Sequence, residues 1–168
     1  MNESTKLTKI LGLGAGALAL CLCVAPLTAD AGTGASYTSI QNAINTGNSD
    51  SILAQLERAE KLPCATCIDL VMPLIDDDRA EVRDVAAWWL SKRAVRTQVR
   101  DAMIERLVGG DTVHARNAAE VLGRFMHPDA LEALEVALHD EGLGDEARVA
   151  AARAVGSIGH ADGKAILE

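Results

Sequence analysis

Cys64 and Cys67, in the run Cys64-Ala65-Thr66-Cys67, combine reactive side chains with a spacing that lets them act together. They open a helical stretch behind Leu62-Pro63. Residues i and i+3 at a helix start lie near enough to bridge, and a helix N-terminus lowers a thiol's pKa. Three chemistries are open to such a pair: a structural disulfide, a reduced pair that captures a metal, and a redox-active dithiol. No βαβ pattern surrounds the pair, so a thioredoxin-type fold is absent. Ile68 stands where covalent haem attachment requires His, which removes the c-type cytochrome reading. A closed zinc site would need two further ligands from elsewhere in the chain. The expectation is a local disulfide between Cys64 and Cys67, with no cofactor and no metal, and a redox module as the alternative.

The histidines invite a second metal reading. His127 and His160 are each followed two residues later by an aspartate, Asp129 and Asp162. The competing expectation is that both lie in turns where the aspartate caps the next helix. Trp88-Trp89 is the more informative pair. Helical spacing groups Trp89 with Val82, Val85 and Ala86, which makes it core, and groups Trp88 with Glu81, Asp84 and Lys92, a polar column.

These residues belong to a repeated unit. The stretches Val82–Ser91, His114–Gly123 and Ala147–Gly156 align on the pairs Ala86-Ala87, Ala118-Ala119 and Ala151-Ala152, which recur after 32 and then 33 residues. A period in that range marks stacked helix pairs, because one pair cannot bury its apolar face alone. The fold class expected is all-α, an α-solenoid of helix pairs in a HEAT- or armadillo-like superhelix. First helices are expected near Cys64–Ile75, Thr97–Val108 and Asp129–Leu138, with another starting near Ala161. Second helices are expected near Ala80–Arg93, Thr112–Phe125 and Asp145–Ile158. The alanine pairs should let the two helices of one repeat approach closely. Alignment also places Glu120 and Arg153 at the position of Trp88, so these three should project from successive second helices onto the concave face. Alternatively, Trp88 packs against the divergent N-terminal helices.

Lys6 and Lys9, an apolar run from Ile10 to Leu27 and the small residues Ala29-Asp30-Ala31 follow the layout of a secretory signal peptide, here residues 1–31. An uncleaved N-terminal anchor is the alternative. Leu20 and Leu22 precede Cys21 and Cys23, where lipid attachment needs a small residue. Lys6 and Lys9 balance Glu3 and Asp30, so the exported domain keeps the whole formal charge of −8. That charge repels phosphate backbones, which argues against a nucleic-acid partner. An exported domain also has an oxidising surrounding in which a disulfide persists. Residues 32–63 read as a degenerate helix pair or cap, and residues 64–168 as the repeats proper, the last truncated.

The run Leu74-Ile75-Asp76-Asp77-Asp78, Val82-Arg83, the alanine pairs, Leu122-Gly123 and Val155-Gly156 resemble HEAT repeats of the short bacterial type named for phycobilisome lyase. The resemblance spans about residues 64–168 and implies a protein-binding scaffold. One enzymatic branch, deoxyhypusine hydroxylase, holds a di-iron centre with His-Glu dyads before the alanine step. The matching positions here are Asp84-Val85, Arg116-Asn117 and Val149-Ala150, which offer no such shell, and nothing marks a tetrapyrrole site. The expectation is therefore an exported, non-catalytic scaffold that binds a protein partner through Trp88, Glu120 and Arg153. A structural piece of a longer envelope protein is a further alternative.

Overall fold

The computed structural model describes residues 35–168; the leader read in residues 1–31 lies outside them. Among the described residues the chain forms nine α-helices and three short 3-10 turns, with no strand. Helix α1 (Tyr37–Thr46) starts at a reciprocal cap between Ser36 and Ser39 and stops at Gly47, whose φ of 67° is the left-handed conformation glycine adopts without a Cβ penalty. Asn48 then caps α2 (Ser49–Arg58) by accepting from the Ser51 amide.

The next first helix is shorter than its periodicity predicts. Helix α3 covers only Cys67–Val71 and continues as a 3-10 turn, Met72–Asp76. Pro73 lacks the amide hydrogen that would continue an α-helical ladder there. Helix α4 (Ala80–Ser91) pairs with it. Helices α5 (Arg96–Gly109) and α6 (Thr112–Phe125) form the following pair, with Asp111 capping α6 through the His114 amide. A 3-10 turn, Pro128–Ala130, leads into α7 (Leu131–His139), which pairs with α8 (Gly144–Ile158), and α9 (Ala161–Leu167) begins another unit.

The second helices α2, α4, α6 and α8 stack in sequence, and the first helices lie in a layer beside them. This is an all-α solenoid. Its core is aliphatic, as the scarcity of aromatics requires, and Trp89 is its largest fully buried side chain. The tightest glycine approach between helices is not within a repeat but between repeats, where a Cβ on Gly123 would lie 2.9 Å from Ala154 Cα. Of the alanine pairs, Ala86, Ala87, Ala118, Ala119 and Ala151 are buried, whereas Ala152 is half-buried.

Polar contacts lock the stack at two places. Asp76 accepts from Arg106 at 2.6 Å and from buried Asn117 at 3.0 Å, tying the Met72–Asp76 turn to α5 and α6. Burial pushes the Asp76 carboxyl up, but these donors outweigh it and hold the group below its ordinary value. At the N-terminal end, Trp89 Nε1 donates to the Ala59 carbonyl at 3.2 Å. Arg93 stacks over that indole at 3.7 Å and donates to the Ala59 and Glu60 carbonyls at 2.7 and 2.8 Å. These carbonyls lie just past α2, where Ala59 also accepts from the Leu62 amide in a turn, and the indole and the guanidinium hold the first helix pair onto α4.

Candidate binding face on the second helices

The second helices carry a groove of about 470 Å³ that crosses α4, α6 and α8. Its floor is built from Ala87, Ala119, Gly123, Ala150 and Ala154, and its flanks from Arg83, Asp84, Glu120, Arg124 and Arg153. The floor is smooth because the Gly123–Ala154 approach leaves no room for larger side chains between α6 and α8.

Glu120 and Arg153 both line this groove. Trp88 lies at its far end, half-buried, in a hollow shared with Leu53 and Glu57 of α2 and with Val85. The two hollows meet at Asp84 and Arg124, whose side chains pair at 3.2 Å and separate Trp88 from Arg153. Trp88 therefore touches the N-terminal helices while keeping one side on the second-helix face.

Glu120 is not a free surface carboxylate. Arg83 donates to its two oxygens at 2.7 and 3.1 Å and also reaches the Asp77 and Asp78 carbonyls at 2.9 and 3.1 Å. The Arg83 side chain is 5% exposed against 36% for Glu120, so the buried member needs all of these acceptors. The hydrogen bond to Glu120 raises the Arg83 pKa above its ordinary value. In the sequence Arg83 stood out only as a carrier of the family resemblance and Asp84 only as a polar neighbour of Trp88 and a position without a dyad, and Arg124 did not stand out. A signal for Arg83 existed: its equivalent one repeat later is Ala115, a residue type that suits an inward position, and Ala115 is fully buried.

The other candidates lie elsewhere. Cys64 and Cys67 are joined in a disulfide across a Cα–Cα distance of 5.3 Å, with Cys67 buried and Cys64 half-buried. His127 and His160 are themselves the caps, and the expectation that the aspartates would serve is corrected. Their Nδ1 atoms accept from the Asp129 and Asp162 amides at 3.3 and 3.4 Å, because the imidazole reaches two residues forward into its own turn. Among the described residues no group of three or more potential metal ligands converges, and no helix is long and apolar enough to cross a membrane.

Fold and groove together define an α-solenoid whose charged groove lies on the stacked second helices. Residues 100–168 match the family described as HEAT repeats. The match begins inside α5, later than the span of residues 64–168 over which the sequence shows the resemblance, and the unit left outside it is the one shortened at Pro73. No curated protein and no solved structure matches the chain.

Proposed function

We propose that this chain is an exported, non-catalytic HEAT-repeat scaffold of the short, phycobilisome-lyase-like type, binding a protein partner across its second-helix face. HEAT repeats generally mediate protein–protein interaction, and a stacked solenoid surface suits an extended partner. The observation that carries the reading is the groove itself: three successive second helices contribute a smooth alanine floor with charged flanks, next to a half-exposed Trp88. Residue types of this kind, an aromatic anchor and arginines around small side chains, supply interface hot spots. The leader pattern and the Cys64–Cys67 disulfide support export.

Photocrosslinking tests this reading. With benzoylphenylalanine at Asp84 or Ser157 in the groove, and at Glu132 or Glu135 on α7, covalent adducts should form from the groove positions. Adducts from α7 alone would refute the assignment of the face. Thiol titration of the exported protein separates the redox alternative, since a scaffold keeps Cys64 and Cys67 bridged while a redox module cycles them at ambient potential.

A further inference from the structure

Among the described residues, the arginines that line the groove and its flank are paired with carboxylates, Arg153 excepted. Arg83 binds Glu120, Arg124 lies 3.2 Å from Asp84, Arg116 lies 3.0 Å from Glu146, and Arg148 lies 3.6 Å from Asp145. The guanidinium of Arg153, exposed on the flank of the same groove, has no hydrogen-bond or ion-pair partner among the described residues. Arg124 in addition keeps a buried Nε with no acceptor. The groove thus holds Arg83, Arg124 and Arg153 against Asp84 and Glu120, one positive charge in excess, on a chain whose formal charge is −8.

Resting on the reading of this face as the binding face, we propose that the groove takes an acidic peptide segment of the partner. A side-chain carboxylate, Asp or Glu, pairs with Arg153, and neighbouring small side chains lie on the Ala119, Gly123, Ala150 and Ala154 floor. A guanidinium recognises a carboxylate with two parallel donors, which confers direction as well as attraction. One uncompensated arginine suits one carboxylate. A polyanion would meet the remaining negative charge of the chain, which a single carboxylate escapes because screening acts over about 8 Å at physiological ionic strength. The groove runs across three helices, so the peptide passes along it and offers a side chain to Arg153.

The probes are fluorescent twelve-residue Ala/Ser peptides with a single central Glu, Gln or Lys (the Ala-Glu, Ala-Gln and Ala-Lys peptides), acetylated and amidated so that only that side chain is charged. Anisotropy with the exported protein should show Ala-Glu binding about tenfold tighter than Ala-Gln, the size of one charge-assisted hydrogen bond. Arg153→Gln should remove that preference and Arg153→Glu should turn it towards Ala-Lys. Circular dichroism melts should stay unchanged, since Arg153 makes no side-chain contact that the fold needs. No binding of Ala-Glu, equal binding of all three peptides, or a preference that survives Arg153→Gln overturns the proposal. A gain in affinity when an Ala-Gln peptide is given a free C-terminus, without a gain for Ala-Glu, also overturns it by assigning the arginine to a chain end. Groove crosslinks that persist in Arg153→Glu would leave the binding face standing and remove only the carboxylate. Loss of groove crosslinks from the wild type would remove the face itself.

Discussion

Gly123→Ala and Gly156→Ala make the same chemical change at equivalent positions of consecutive second helices, and they should move stability in opposite directions. Both glycines are inside α-helices, where alanine is favoured by about 0.8–1 kcal/mol. A Cβ on Gly156 meets nothing within 4 Å, so that preference is expressed and Gly156→Ala should stabilise by about 0.5–1 kcal/mol, the lower end reflecting its place in the last turn. A Cβ on Gly123 would lie 2.9 Å from Ala154 Cα and 3.0 Å from its Cβ. Carbon atoms pack at about 3.5–4.0 Å, so α6 and α8 must separate by roughly 0.5–1 Å along their contact. Backbone cannot rotate away as a side-chain tip can. Overpacking of this kind costs about 1–3 kcal/mol, which leaves Gly123→Ala destabilised by about 0–2 kcal/mol after the propensity gain. Urea denaturation followed by circular dichroism, with a common slope for all three proteins, should separate the two variants by about 0.5–3 kcal/mol. If Gly123→Ala stabilises the protein as much as Gly156→Ala does, the close α6–α8 approach is refuted, and with it the narrow groove floor.

Trp89→Ala should cost about 3–5 kcal/mol in the same assay, because it empties the largest buried site and removes one of the donors to the Ala59 carbonyl. Trp88→Glu should cost clearly less, about 1–2 kcal/mol for a half-buried ring, while weakening the groove crosslinks; equal destabilisation by both would make Trp88 a purely structural residue. Acid should destabilise the protein below about pH 4. Asp76 is held low by Arg106 and Asn117 against the effect of burial, and Asp77 is held low by its hydrogen bond from Arg79. Depressed carboxylates contribute stability above the unfolded pKa and lose it as pH falls through the folded one. Asp76→Asn should therefore flatten that part of the pH–stability curve, and an unchanged curve would exclude Asp76 as a source. The double Cys64→Ser, Cys67→Ser variant should still fold and lose about 1 kcal/mol, since so short a loop gains little from closure; failure to fold would contradict this.

The helical architecture was written in local pattern. The 32- to 33-residue recurrence of alanine pairs implies stacked helix pairs, and Thr112–Phe125 is both the expected and the observed second helix of the middle repeat. Periodicity of 3.6 residues also separated the two tryptophans, since adjacent residues on a helix point about 100° apart. Pro73 stands in the sequence too, but its effect, an α3 that ends at Val71 and continues as a 3-10 turn, depends on which amide loses its partner. What the pattern could not contain is pairing across helices. Glu120 and Arg153 occupy equivalent positions, yet one is bound by Arg83 and the other has no side-chain partner among the described residues. The difference arises because Arg83 is 37 residues from Glu120 and meets it only once α4 lies against α6 in one register. The same holds for Gly123 and Gly156, equivalent in the repeat and different in surroundings. Helix formation is decided by neighbours three and four residues apart; the charge and depth of the groove are decided by how those helices stack, which only the folded chain specifies.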